Sequence, residues 1–202
     1  MSERTIESGG LVGKAAALTT DRGIRSARFL AAGTILRIVL TPAIMGLLMA
    51  DAPHEVTAAL FAAAAATDWI DGYLARRWDV TTKIGSFLDT TADKLLVTGV
   101  LIALVAVERA SPWVAVIIVG REIIILGLRG VVAAEGVVMQ PSLLGKLKTA
   151  IQFLAILLAI LRPGDPIGGL YLDEWVMLVA AAITVASAVD YLSRFAASLS
   201  GR

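Results

Sequence analysis

Long apolar runs separated by short polar segments set the plan of this chain. Six runs approach or exceed the roughly 20 residues that a helix needs to cross a bilayer. They cover about Phe29 to Ala50, Val56 to Arg76, Ile84 to Val107, Trp113 to Arg129, Gly145 to Leu161 and Glu174 to Leu192. The breaks between them are rich in Pro, Gly and acidic residues: Asp51 to Glu55, a turn near Asp79 and Val80, Glu108 to Pro112, Gly136 to Pro141, and Arg162 to Asp173. Such residues end helices and start turns. The pattern predicts an all-α, polytopic membrane protein. Residues 29–202 form a six-helix membrane domain, and residues 1–28 form a basic juxtamembrane segment. In that segment Leu11, Val12, Ala15, Leu18 and Ile24 alternate with Lys14, Arg22, Arg25 and Arg28. Two readings stand for it, an interfacial amphipathic helix and a disordered basic tail.

Composition agrees with the pattern. Of 202 residues, 57 % are hydrophobic, and the mean hydropathy is +0.80. A soluble domain of this size would be less apolar. The net charge of +1 gives no reason to expect a nucleic-acid partner. The chain has no cysteine, which excludes disulfides and thiol chemistry. No apolar stretch in the first 28 residues reads as a cleavable signal. His54, the one histidine, falls in a short polar loop and reads as a solvated residue.

Charges inside the apolar runs change the picture, because an ionisable group at membrane depth is costly and marks function by default. Asp68, Asp71, Gly72, Ala75 and Arg76 fall at i, i+3, i+4, i+7 and i+8, on one helix face. Gly85, Asp89 and Asp93 fall at i, i+4 and i+8 on the next helix. With a turn near Asp79, an antiparallel pair brings Asp71 level with Asp89, and Asp68 nearly level with Asp93. Four carboxylates in one volume repel unless cations neutralise them. Oxygen-only ligands select hard cations, Mg²⁺ or Mn²⁺, with room for two ions. The small residues Gly72, Ala75 and Gly85 let a bulky polyanion approach the backbone, and Arg76 adds a fixed positive charge.

A second charged set follows. Arg121, Ile125 and Arg129 share a face of the fourth run, with Glu122 placed to orient Arg121. Lys146 and Lys148 open the fifth. Arg37, within the first run, either faces the protein interior or snorkels to the interface. Arg121, Arg129, Lys146 and Lys148, with Arg37, could form a cationic pocket for a phosphorylated substrate. The bases Arg76, Arg77, Lys83, Lys146, Lys148, Arg194 and Arg202 fall on the side of the two termini, and the opposite loops carry mostly acids. By the positive-inside rule the termini and both charged sets face the cytoplasm.

The string D-x2-D-G-x2-A-R-x8-G-x3-D-x3-D runs complete from Asp68 to Asp93, eight fixed residues in a 26-residue span. It resembles the signature of the CDP-alcohol phosphatidyltransferase family. The resemblance implies a metal-dependent enzyme that moves a phosphatidyl group from CDP-diacylglycerol to an alcohol and releases CMP. By motif position, Asp68, Asp71, Asp89 and Asp93 would bind metal, with Asp93 also the general base. Gly72, Ala75, Arg76 and Gly85 would hold the CDP moiety. Further segments are similar to the branch that uses glycerol-3-phosphate: Thr34, Arg37 and Pro42, then Arg121-Glu122-Ile123-Ile124-Ile125, Gly145-Lys146-Leu147-Lys148-Thr149 with Gln152, and Tyr191-Leu192-Ser193. In that branch the acceptor phosphate would meet Arg121, Arg129, Lys146, Lys148 and Arg37. The family also implies a homodimer among membrane lipids in the cell membrane. Inositol phosphate and phosphatidylglycerol stand as alternative acceptors, since Thr90 replaces the usual proline after Asp89. A cation transporter is the alternative from another class. It is disfavoured because the outer halves of the runs lack a continuing polar path.

Overall fold

The apolar runs become helices. The computed structural model describes the backbone of residues 21–78, 83–134 and 143–200. Within these it describes the side chains outside 21–31, 68–69, 71–78, 83–86, 133–134 and 197–200. Six helices fill this part of the chain: α1 (Asp21–Met49), α2 (His54–Trp78), α3 (Lys83–Ala106), α4 (Pro112–Ala134), α5 (Leu143–Leu161) and α6 (Leu172–Ser200). Helix is the economical choice for an apolar segment in lipid, since it satisfies every backbone polar group within itself. The only strand-like feature among the described residues is a bridge between Ile167 and Leu170 in the loop before α6. α1 reaches back to Asp21, further than the apolar run that begins near Phe29. Residues 1–20 of the N-terminal segment lie outside the described residues.

Among the described residues, three helical stretches are long and apolar enough to cross a membrane: Ala32–Met49, Leu143–Leu161 and Leu172–Ala196. The other three helices carry the charged positions that the sequence singled out, Asp68, Asp71 and Arg76 in α2, Asp89, Asp93 and Lys94 in α3, and Arg121, Glu122 and Arg129 in α4, while Arg37, Lys148 and Asp173 are buried charges on α1, α5 and α6. Many large apolar side chains point outward, including Ile35, Val39, Val116, Ile123 and Val189. That arrangement suits a lipid solvent, where outward apolar groups cost nothing. Trp113 and Trp175 stand exposed at the starts of α4 and α6, where amphipathic rings favour a headgroup layer.

The helix ends follow local rules. Pro112 occupies the first position of α4, where its missing N–H costs no bond. Tyr171 caps α6: its N–H donates to Glu174 Oε2 at 2.8 Å, and its carbonyl accepts from the Glu174 and Trp175 N–H groups. The Glu174 side chain thus supplies the returning half of a capping box, satisfying the N-cap N–H. α3 closes with Glu108 in the left-handed region (φ 56°), and Arg109 N–H donates back to the Leu104 carbonyl at 2.8 Å. That six-to-one bond satisfies an otherwise orphaned carbonyl at the helix end.

The chain divides into two units. The first comprises residues 1–43 and 60–96, the second residues 44–59 and 97–202. In the first, Phe61, Ala64, Ala92 and Leu96 are buried. Pro42 interrupts the α1 hydrogen-bond ladder. Immediately before it, the Thr41 hydroxyl donates to the Arg37 carbonyl, one turn back, at 2.8 Å. In the second unit α6 packs on both α4 and α5. Ala155, Ala159, Ala180 and Ala181 are buried there beside Ile118, Ile156 and Ile160. Small residues let such helices approach closely, which is how helices associate without a hydrophobic driving force.

Candidate functional site

In the first unit the candidate carboxylates belong to α2 and α3. The backbones of Asp68, Asp71, Gly72, Ala75 and Arg76 are helical in α2, and that of Gly85 is helical in α3. The side chains at these positions lie outside the described residues. Asp89 and Asp93 are described. They sit one turn apart on α3, where a helix stacks residues i and i+4. Asp89 receives the Arg37 guanidinium from α1, Nη2 to Oδ1. Arg37 is fully buried, whereas the Asp89 side chain is 34 % exposed. Arg37 therefore points into the protein, and of its two sequence readings the interior one holds. Its partner is an expected metal ligand, so the structure associates Arg37 with the acidic set.

Asp93 has two oxygens in different settings. Oδ2 accepts from Lys94 Nζ at 3.1 Å. Oδ1 is buried and has no hydrogen-bond partner among the described groups. A buried carboxylate oxygen left in this way is costly unless a cation or a proton reaches it. It therefore suits either a divalent ion or a proton received from a substrate hydroxyl. Among the described residues no group of three acids or histidines converges, and Asp68 and Asp71 contribute no described side chain to that count.

The second unit holds the other charged set. Glu122 on α4 is buried and accepts from two cations on the same oxygen: Lys148 Nζ from α5, and Arg121 Nη1 at 3.3 Å. Arg121 Nη2 also donates to the Ser187 hydroxyl of α6 at 2.8 Å. One turn further from Lys148, Gln152 Nε2 donates to Thr184 Oγ1 at 2.9 Å, joining α5 to α6. Arg129 lies 5.7 Å over the Tyr191 ring, a cation–π geometry. Arg121 Nε and the Tyr191 hydroxyl are buried and lack hydrogen-bond partners among the described groups.

The sequence grouped five bases together, and the structure distributes them. Arg121 and Lys148 meet on Glu122. Arg129 remains on the same unit but is exposed and rests on Tyr191. Lys146 and Lys148 are two residues apart on α5, about 200° around a helix of 3.6 residues per turn. Lys148 is accordingly buried and Lys146 exposed. Arg37 bonds Asp89 in the first unit.

Several contacts escaped the sequence. Thr184 and Ser187 are two small hydroxyls in an apolar helix, and only their spacing of three hinted at a shared face. The Lys148–Glu122 bond spans 26 residues and leaves no local signal. His54 is a correction: rather than being merely solvated, its Nε2 lies 2.7 Å from Arg109 Nη2. Arg109 Nη1 also donates to the Ile160 carbonyl at 2.7 Å. Arg109 thus ties the start of α2 to the end of α5.

Comparison with known proteins points the same way. The CDP-alcohol phosphatidyltransferase profile matches residues 31–186. A CDP-diacylglycerol–glycerol-3-phosphate 3-phosphatidyltransferase of Bacillus subtilis is 36 % identical over 177 residues, covering 80 % of this chain and 91 % of the relative. The protein of that name from Sodalis glossinidius is 42 % identical over 140 residues, or 67 % of this chain and 75 % of the relative. That from Salmonella choleraesuis is 40 % identical over 168 residues, covering 79 % and 90 %.

Proposed function

The chain belongs to the CDP-alcohol phosphatidyltransferase family, and from that premise we propose that it transfers a phosphatidyl group from CDP-diacylglycerol to glycerol-3-phosphate. The products are phosphatidylglycerophosphate and CMP, so the reaction is a step of phospholipid synthesis. The observation that carries this reading is the complete Asp68-to-Asp93 signature on two successive helices, with Asp93 Oδ1 buried and free to accept. The names of the relatives support the donor and the acceptor.

Asp93 takes the proton of the acceptor hydroxyl. The hydroxyl oxygen then bonds to the phosphorus that carries diacylglycerol, and the bond from that phosphorus to the CMP oxygen breaks. A base must stand within hydrogen-bond reach of the proton it removes. Asp93 meets the requirement of an open oxygen, while Lys94 occupies the other. Asp68, Asp71, Asp89 and Asp93 are the residues that would hold divalent ions, Mg²⁺ or Mn²⁺. When bound, such ions neutralise charge on the pyrophosphate and on departing CMP. Gly72, Ala75, Arg76 and Gly85 hold the CDP group. Arg37 fixes Asp89. Arg121 and Lys148, with Arg129, receive the acceptor phosphate.

The same proposal includes the membrane arrangement. All six helices span, because a helix with charges in one half still has an apolar half to place in lipid. Both termini and the segments 79–82 and 135–142 face the cytoplasm, following the lysines and arginines. The enzyme works in the cell membrane, as a homodimer, with its active site open to the cytoplasm.

The test is CMP release by purified protein with CDP-diacylglycerol and Mg²⁺ or Mn²⁺, across glycerol-3-phosphate, inositol phosphate and phosphatidylglycerol. Release that depends on glycerol-3-phosphate is expected. Release with another acceptor alone would reject the substrate assignment, and no release with any alcohol would reject the chemistry.

A further inference from the structure

Glu122 is the one acid in the described lining of α4, α5 and α6 that two cations share. Its side chain is 6 % exposed, Lys148 is 2 % exposed and Arg121 12 %. Three charges this deep in an apolar bundle are unfavourable as a device for stability alone, since desolvation offsets most of the attraction. The arrangement has a clear geometric result. A lysine ammonium is a point charge on a flexible stem, and an arginine beside it repels it. One carboxylate oxygen that accepts from both cancels that repulsion and holds the two cations at a fixed separation. Ser187 fixes the other end of the guanidinium. Among the described groups, the Arg121 Nε and Tyr191 hydroxyl donors are left over.

We propose that Glu122 is a positioning residue: it holds Arg121 and Lys148 together as a preformed receptor for a phosphate monoester, and acts on the acceptor only through them. This rests on the reading above that these bases receive the acceptor phosphate. Binding to such a receptor costs less ordering of long side chains than assembling it around the ligand.

The experiment compares wild type, Glu122→Gln, Glu122→Asp, Lys148→Met and the double variant Glu122→Gln/Lys148→Met in CMP release, varying each substrate in turn. Glu122→Gln should raise the glycerol-3-phosphate KM by about 10- to 100-fold, the worth of a charge-assisted bond. The donor KM and kcat should move by less than about twofold. Glu122→Asp keeps the charge and should recover most of the loss. In the Lys148→Met background, Glu122→Gln should add less than about threefold, because residues that act as a unit are not additive. The double variant also removes both buried charges of the pair, so the cycle remains readable if Glu122→Gln alone folds poorly.

Equal losses in both KM values and in kcat would make Glu122 a structural acid and overturn the proposal. Losses that multiply in the double variant would overturn it too, since Glu122 would then act independently of Lys148. If wild type shows no release dependent on glycerol-3-phosphate, the substrate reading fails on its own. The proposal is then read by calorimetric titration of inorganic phosphate. Weaker binding by Glu122→Gln than by wild type supports it, and equal binding, or none by wild type, overturns it.

Discussion

Replacing Arg37 separates two roles that the sequence left joined. Arg37 could receive the acceptor phosphate, or it could fix a metal ligand, and its contact with Asp89 favours the second. In Arg37→Ala the Asp89 carboxylate loses its partner. Breaking a fully buried pair costs about 3–5 kcal/mol. Asp89 is 34 % exposed, so water recovers part of this, and about 1–3 kcal/mol is expected in thermal unfolding without metal. The larger effect falls on ion binding. Groups that orient a metal ligand are worth about 10- to 100-fold in affinity. Saturation with Mn²⁺ at about 100 times the wild-type Kd should stabilise wild type by about 2.7 kcal/mol, and a variant binding tenfold more weakly by about 1.4 kcal/mol. The assay is Mn²⁺ binding followed by electron paramagnetic resonance, paired with melting curves at fixed Mn²⁺. Arg37→Lys keeps the charge without the planar fork and should fall between the two. Unchanged or tighter Mn²⁺ binding by Arg37→Ala, with a rise confined to the glycerol-3-phosphate KM, would refute the reasoning and return Arg37 to the acceptor.

Two further perturbations test other parts of the fold. Asp93→Asn should lower kcat by at least about 10²-fold, the usual contribution of a general base, while CDP-diacylglycerol still binds in a titration. Normal turnover would remove Asp93 from the proton transfer. Arg109→Ala loses bonds to His54 and to the Ile160 carbonyl, so unfolding should be easier by about 1.5–3 kcal/mol. Both KM values should stay near wild type, and an unchanged melting temperature would show that this tie contributes nothing.

What the sequence revealed was periodic and local. Helix positions followed from the length of the apolar runs and from Pro and Gly at their ends, and five of the six starts fall within a few residues of the prediction. α1 is the exception, because Asp21 to Arg28 are polar enough to read as a tail, although Arg22, Arg25, Ala27 and Arg28 favour helix. The Asp89/Asp93 register was legible because both carboxylates belong to one helix. Arg37–Asp89 was not, because the pair is 52 residues apart and a base inside a span has several partners open to it. The Lys146/Lys148 grouping shows the opposite error. Nearness in sequence suggested one pocket, whereas helical rotation puts the two ammonium groups on different faces. His54 was misjudged for a related reason: a loop position says nothing about an arginine arriving from another loop.

Charge pairing connects these particulars to ligand preference. In the described parts of the bundle, buried charge is met by opposite charge: Arg37 with Asp89, Lys148 and Arg121 with Glu122, and Arg162 with Asp173 at 3.5 Å. A bundle in lipid tolerates little else, since an isolated buried ion would cost several kcal/mol. On α4 and α5 two cations, Arg121 and Lys148, meet one acid, Glu122. Among the α3 aspartates and their partners the described charges balance, with Arg37 and Lys94 against Asp89 and Asp93. The balance nevertheless leaves Asp93 Oδ1 without a donor. A cation or a proton can enter there, and an anion cannot. Under the proposed function, the open Asp93 oxygen on α3 suits a cation or a proton, and the paired cations of α4 and α5 suit a phosphate monoester.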